Sequence, residues 1–432
     1  MNIESLYTHF IQSTGVSTDT RKIGQGNIFF ALKGPNFNAN DFAPKALEAG
    51  ASLVVVDEER VIPEGDPRYF LVEDALTALQ KLANHHRHQL QIPIIGLTGS
   101  NGKTTSKELL HAVLKQKFNT SATVGNLNNH IGVPMTLLAI SKETEIAIVE
   151  MGANKQGDIK ELCDITEPTH GFITNIGKAH LEGMGGPEGV LKTKTELFQH
   201  LREKKGTVFI NSEDPILFNM AKRFEQPVLY PAKGDYCEVV FEGADPFVKF
   251  RVEGGEKIHQ SSMIGAYNFG NIATALTIGK FFGVPMDKAV EAISSYMPSN
   301  MRSQLIEKRT NLIILDAYNA NPSSMEVAIK TFGEMTGKKH KMVILGDMFE
   351  LGEHTEPEHG KLGEWVSQYR FDKICFTGKH VQAALATAPI SALYFPDPFS
   401  FRNWLQDSKL EDYLILIKGS RGMKLEGLVD FI

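Results

Sequence analysis

One stretch, "GLTGSNGKTTSKE" from Gly96 to Glu108, restricts the fold of this chain more than any other. It follows an apolar run and leads into "KTTSKELLHAVLKQ", whose apolar residues recur at helical spacing. Strand, glycine-rich turn and helix form the arrangement in which backbone N–H groups and the positive helix end face a phosphate, and glycine lets the chain approach the ligand closely. Gly99, Ser100, Asn101 and Gly102 would line such a cradle, with Lys103 on the terminal phosphates of a nucleoside triphosphate. Thr104 would offer its hydroxyl to Mg²⁺, with Thr105 beside it. The loop departs from the strict G-x-x-x-x-G-K-[ST] form, because Leu97 stands where the first glycine is usual. A turn that merely capped a helix would account for Gly99 and Gly102, but not for Lys103 and Thr104 together.

Apolar runs alternate with amphipathic stretches along the whole chain, which predicts α/β units with parallel or mixed sheets under helices. At 432 residues and roughly 150 per domain, three domains are expected. "NIFFAL", "SLVVV" and "YFLVE" read as strands of a small α/β domain over residues 1–87, with "DFAPKALEAGA" as a helix. The polar stretch "NHHRHQLQ" marks its end and reads as a solvated helix terminus rather than a metal site. "PIIGLT", "EIAIVEMG", "HGFITNI" and "GTVFIN" predict a P-loop-type ATPase sheet over 88–303. "NLIILDAY", "KMVILGDM", "DKICFTG", "SALYFPD" and "YLILIKGS" predict a Rossmann-like doubly wound domain over 304–432.

A net charge of -6 gives no basic footprint for nucleic acid. No run approaches the roughly 18 apolar residues of a membrane span, and "MNIESLYTHF" does not read as a secretory signal. A cytoplasmic location is expected. Cys163, Cys237 and Cys375 are too few and too scattered for a disulfide framework or a metal site, and read as reduced thiols.

Glu150 ends the run "EIAIVEMG" at the carboxyl end of a strand, where ligands gather in open α/β sheets, and its carboxylate could hold Mg²⁺. His180, in "TNIGKAHLEGMG", follows the next strand and taken alone reads more simply as a satisfied loop histidine.

Together, "GLTGSNGKTTSKE", "GNLNNHIGVP", "VEMGANKQGDI", "TNIGKAHLEGMG" and "KTKTELF" resemble the central domain of the Mur ligases, ATP-dependent enzymes that form amide bonds in bacterial cell-wall synthesis. The resemblance continues through "GAYNFGNIATAL", "LDAYNANPSSM", "ILGDMFELGEH" and "IKGSRGMKLE", and so spans nearly the whole chain. "DAYNANPSSM" with "LGDMFELGE" resembles the branch that adds D-alanyl-D-alanine to UDP-N-acetylmuramoyl-tripeptide. A related amino-acid ligase, such as a folylpolyglutamate-type enzyme, and a nucleotide-dependent switch are the alternatives.

Residue by residue, the resemblance implies that Lys103 and Thr104 meet ATP phosphates and Mg²⁺, that Glu150 and His180 are metal ligands, and that Lys194 is carbamylated and ligates a second Mg²⁺. It implies further that Asn268 and Asn271 lie near the nucleotide, that Arg302 reaches the ATP phosphates, and that Asp316 contacts the ribose. Tyr267 stands where many members carry histidine, and Leu315 replaces the first of two acids. Thr18, Asp19 and Arg21 match the uridine-nucleotide segment, and Asn38 and Asn40 fall at the UDP-sugar position, in a departure from the commoner Asp-Gly-His form. The C-terminal domain would hold the dipeptide, with Asn319, Asn321, Lys418, Ser420 and Arg421 as candidates, and its His359 and Asp347 are candidate bases for the incoming amine. Lys103, Lys194, His180 and Arg302 would then carry the catalysis, in a chain expected to be monomeric.

Overall fold

The computed structural model describes residues 2–432 and resolves into three α/β units, of which the second and third present loops to a common cleft. In the first unit, Val16–Ser17, Ile28–Phe30, Leu53–Val56 and Tyr69–Leu71 lie side by side in that order, all parallel. Successive side chains of a strand face opposite ways, and both faces here are apolar. Ile28, Phe30, Leu53 and Val55 pack on the side that holds Leu6, Leu79 and Leu82, whereas Phe29, Val54 and Val56 meet Ala39, Ala43 and Ala46.

The helix Ala75–Gln89, capped by the Asp74 carboxylate accepting from Thr77 N at 2.6 Å, runs unbroken through the histidine-rich stretch. Its final residues His88 and Gln89 are solvated as expected, but the turn before them is not. His86 and Arg87 are buried: His86 Nε2 donates to Ile140 O at 3.0 Å, and Arg87 Nε and Nη2 donate to Thr166 O and Glu167 O at 3.0 and 3.1 Å. These bonds fasten the first unit to the second, those of Arg87 by capping the helix Asp158–Thr166.

The central sheet is six-stranded and parallel, in the order Val228–Tyr230, Thr207–Asn211, His170–Ile173, Ile94–Thr98, Ile146–Glu150, Thr120–Ala122. Its register sets Leu97 beside Glu150 and Thr98 beside Ile173, so three adjacent strands end at one level. A three-stranded antiparallel sheet, Val239–Ala244, Phe247–Val252 and His259–Ile264, was not anticipated. The helix Phe269–Phe281 is buried along most of its length between this sheet and the central one, and so shows no polar face in the sequence.

In the last unit the five anticipated strands stand in parallel, in the order Asn311–Asp316, Tyr413–Lys418, His340–Gly346, Lys373–Thr377, Leu393–Phe395. A sixth, Gln304–Lys308, adds antiparallel to the edge. Among the described residues no helix is long and apolar enough to cross a membrane.

Candidate active site

The phosphate loop joins the strand Ile94–Thr98 to the helix Lys103–Leu114. Gly99 lies at φ +148°, where a methyl would sit 1.9 Å from Thr174 Oγ1; Gly102 lies at φ +78°, where a methyl would sit 2.8 Å from Asn271 Oδ1. Both glycines are therefore required by conformation and by space. The next strand's loop holds this one in shape: Thr174 Oγ1 donates to Asn101 O at 2.6 Å, and Asn175 accepts from Asn101 N and donates to Asn101 O, both at 3.0 Å. Lys103 curls back, donating to Gly99 O at 2.7 Å and Ser100 O at 3.3 Å. Burial in the cleft lowers its ammonium to about 8, opposed by Glu150 and assisted by Arg302.

These groups open into a cavity of about 1230 Å³, lined by Lys103, Thr104, Glu150, His180, Arg302 and Asp316 among others. Glu150 is buried, and its two oxygens differ. Oε1 accepts from Asn128 Nδ2 at 2.8 Å and from Thr104 Oγ1 at 3.2 Å, while Oε2 is buried with no partner. A buried carboxylate oxygen without a donor is costly unless a cation completes it. Lys194, on the helix Pro187–Glu203, is likewise fully buried with Nζ unpartnered, and desolvation with the nearby Lys103 charge drives its pKa far down, toward the neutral amine. Lys194 does not line the cavity; His180 does, but its Nδ1 is bonded to the Glu350 carboxylate. Among the described residues no three His, Cys, Asp or Glu side chains gather as a ready-made metal cluster. A cation here would draw on Glu150, the Thr104 hydroxyl, His180 and phosphate oxygens.

Three family models cover most of the chain: the Mur ligase family catalytic domain matches residues 12–87, the Mur ligase middle domain 97–279, and the Mur ligase glutamate ligase domain 301–421. The UDP-N-acetylmuramoyl-tripeptide–D-alanyl-D-alanine ligase of Bacillus subtilis is 36% identical over 422 residues, covering 96% of this chain and 92% of that protein. The chain belongs to the Mur ligase family. The Escherichia coli ligase of the same name is 33% identical over 96% of this chain and 92% of its own length. Among solved structures, MurF from Acinetobacter baumannii superposes with a TM-score of 0.86 at 30% identity, covering 96% of this chain and 92% of that one. The MurF ligase of Thermotoga maritima in complex with ADP gives 0.84 at 27% identity, covering 98% and 97%.

In this Mur ligase the remaining nucleotide candidates divide. Asn268 and Asn271 line the cavity yet spend their amides internally: Asn271 Nδ2 donates to Asn268 Oδ1, and Ser106 Oγ donates to Asn271 Oδ1, both at 2.8 Å. They buttress Gly102 from below. Arg302 stacks its guanidinium 4.0 Å over the Tyr318 ring, and its Nε is buried without a partner. It stands between Met301 and Ser303, both in left-handed backbone at φ +56° and +51°. Asp316 is held by Lys418 Nζ at 2.5 Å and by Ser303 N at 3.2 Å.

The dipeptide candidates also separate. Asn319, Asn321 and Lys418 line the cavity, whereas Ser420 and Arg421 do not. Ser420 Oγ accepts from Phe349 N at 3.0 Å, and Arg421 pairs at the surface with Glu426 at 2.8 Å. Asn321 caps the helix Pro322–Glu334 and donates to Asn101 Oδ1 of the phosphate loop at 2.8 Å, so the last unit touches the loop directly.

Neither proposed base is free. His359 is fully buried; Nε2 accepts from Met348 N at 2.9 Å and Nδ1 donates to Thr355 O at 2.6 Å, so no nitrogen remains for a substrate proton. Asp347 accepts from the backbone N–H groups of Lys379, His380 and Val381 at 2.7–3.0 Å, which makes it a turn cap.

In the first unit none of Thr18, Asp19, Arg21, Asn38 or Asn40 lines the main cavity. Asp19 caps a short turn and is paired with Arg21, whose guanidinium holds that carboxyl at about 2. Asn40 is fully buried and bonded to Asp57 at 2.7 Å through its side chain and at 3.1 Å to the Asp57 N–H, so it shapes the loop and has no surface to offer a sugar. Asn38 donates to Glu58 at 2.9 Å. Sequence reasoning missed Asn128, Tyr318 and Glu350. Asn128 lay inside the quoted string "GNLNNHIGVP", but nothing in that string singles out the asparagine that meets Glu150.

Proposed function

We propose that this chain couples D-alanyl-D-alanine to UDP-N-acetylmuramoyl-tripeptide with ATP, giving the UDP-linked pentapeptide, ADP and phosphate. The relatives carrying that activity in their names match it over nearly their full length. The observation that carries the reading is the convergence of the phosphate loop, Glu150 with its unpartnered Oε2 and Arg302 with its unpartnered Nε on one cavity. The tripeptide's terminal carboxylate attacks the γ-phosphorus, ADP leaves, and the dipeptide amine then displaces phosphate from the acyl phosphate.

Bringing an anion to an anion calls for charge neutralisation and positioning more than covalent help. Lys103 exchanges its carbonyl partners for phosphate oxygens, and Arg302, held flat by Tyr318, supplies a second cation from the far wall. Lys194 is suited to carbamylation: a neutral Nζ attacks CO₂, a proton leaves, and an anionic oxygen stands where an unpaired amine stood. Mg²⁺, when bound by Glu150, Thr104, His180 and this carbamate, would screen the transferring phosphoryl group. Asn128 and Thr104 fix the Glu150 carboxylate in readiness. The uridine nucleotide would sit on the first unit near Thr18, Asp19 and Arg21, and the dipeptide near Asn319 and Asn321. A monomer acting in the cytoplasm fits substrates that are water-soluble, namely ATP, a UDP-linked tripeptide and a dipeptide.

The test is phosphate release by purified protein with ATP, Mg²⁺ and UDP-N-acetylmuramoyl-tripeptide, offering D-alanyl-D-alanine against single amino acids. Release should depend on the dipeptide; equal release with glutamate would replace this reading with that of another amino-acid ligase.

A further inference from the structure

His180 and Glu350 come from different units, yet they meet over the cavity. His180 follows the strand His170–Ile173 and is held firmly, with Ala179 and Leu181 buried on either side and its own backbone left-handed at φ +51°. Its Nδ1 is bonded to the Glu350 carboxylate, and among the described residues its Nε2 has no hydrogen-bond partner. Glu350 is itself at φ +63°, a conformation that a non-glycine residue keeps only when its surroundings insist on it. They do: Met348 N donates to His359 Nε2 at 2.9 Å, Phe349 N to Ser420 Oγ at 3.0 Å, and Leu351 is buried. Gly352, at φ +55°, lies so close that a methyl there would stand 3.1 Å from Glu182 Cβ, which locks this loop onto the turn that carries His180.

We infer that Glu350 is a positioning residue that fixes the His180 tautomer, accepting Nδ1–H and leaving the Nε2 lone pair for a divalent cation in the cavity. A neutral imidazole has one donor and one acceptor nitrogen, and an ionised carboxylate only accepts. The proton therefore belongs on Nδ1, and Nε2 is the nitrogen able to ligate. The consequence concerns the whole molecule. The last unit supplies the group that prepares a metal ligand of the central one, so the ligand is ready only when the two units are docked. Nearby contacts hold them together: Lys178 N donates to Ser323 Oγ at 2.9 Å, and Asn321 reaches Asn101. The inference rests on the proposed ATP- and cation-dependent reading of the site.

The experiment uses the full chain, with Mn²⁺ as the probe and a non-hydrolysable ATP analogue present. Mn²⁺ binding is followed by paramagnetic resonance, and the ring nitrogens are followed by NMR of ¹⁵N-histidine-labelled protein, His180 being assigned by its loss in His180→Gln. Wild type should show His180 as the Nδ1–H tautomer. Glu350→Ala should weaken Mn²⁺ at this site about 10–100-fold and abolish the preference for Nδ1–H. Glu350→Gln, which keeps the shape and an acceptor oxygen without the charge, should fall between them and decides the matter if the alanine variant does not fold. Wild-type Mn²⁺ affinity and tautomer in a folded variant would overturn the inference. Wild-type protein that binds no Mn²⁺ with nucleotide would instead overturn the reading of the site as a whole.

Discussion

Lys103 offers a prediction whose size can be worked out. In the free protein, burial holds its ammonium at about 8, with Arg302 pressing the same way and Glu150 opposing. Phosphates arriving beside it favour the charged form, so the bound-state pKa must rise. Free protein then carries the proton on about nine-tenths of molecules at pH 7, about half at pH 8 and about a tenth at pH 9. ATP binding should take up about half a proton at pH 8, and affinity should fall about tenfold between pH 7 and pH 9. The sign follows from the depressed free-state value: the charged form that ATP needs is lost as pH rises through 8. Isothermal titration in buffers of different ionisation enthalpy counts the protons directly. Lys103→Ala should bind weakly at every pH and take up none. Arg302→Ala removes a repelling charge, so the midpoint should move to higher pH. A flat wild-type profile from pH 7 to 9, or an unchanged slope in Lys103→Ala, would refute this account of the loop.

Gly99→Ala places a methyl 1.9 Å from Thr174 Oγ1 in backbone at φ +148°; overpacking of about 1–3 kcal/mol should weaken ATP binding roughly tenfold without loss of folded circular dichroism, and added Thr174→Ala should recover part of it. Asp347→Ala strands three backbone N–H groups, each worth about 1–3 kcal/mol when left unsatisfied. Thermal unfolding should start earlier while the pH dependence of turnover keeps its shape; a changed pH profile would return Asp347 to consideration as a base. Lys194→Ala should lose turnover, and short-chain carboxylic acids that replace the carbamate should restore part of it; full activity without rescue would reject its metal role.

The distribution of legible and illegible features has a physical pattern. Strands such as Ile94–Thr98, Ile146–Glu150 and Tyr413–Lys418 are buried on both faces, so they appear as plain apolar runs, and the sheets could be read directly. Phe247–Val252 and Gln304–Lys308 are partly exposed edge or hairpin strands with mixed polarity, and their pairing is settled by neighbours rather than by their own pattern. The site divides in the same way. Gly99, Gly102, Lys103 and Thr104 act through local backbone geometry, so spacing along the chain betrays them. Asn40, His359 and Asp347 carry suitable chemistry but are consumed by internal bonds, which no residue type announces. Glu350 is the converse case: an acid in an unremarkable loop becomes significant because it meets a histidine 170 positions away. Composition can nominate donors and acceptors, but function depends on which remain unspent after folding. In this cleft the unspent ones are Glu150 Oε2 and Arg302 Nε, both buried atoms on residues that line the same space.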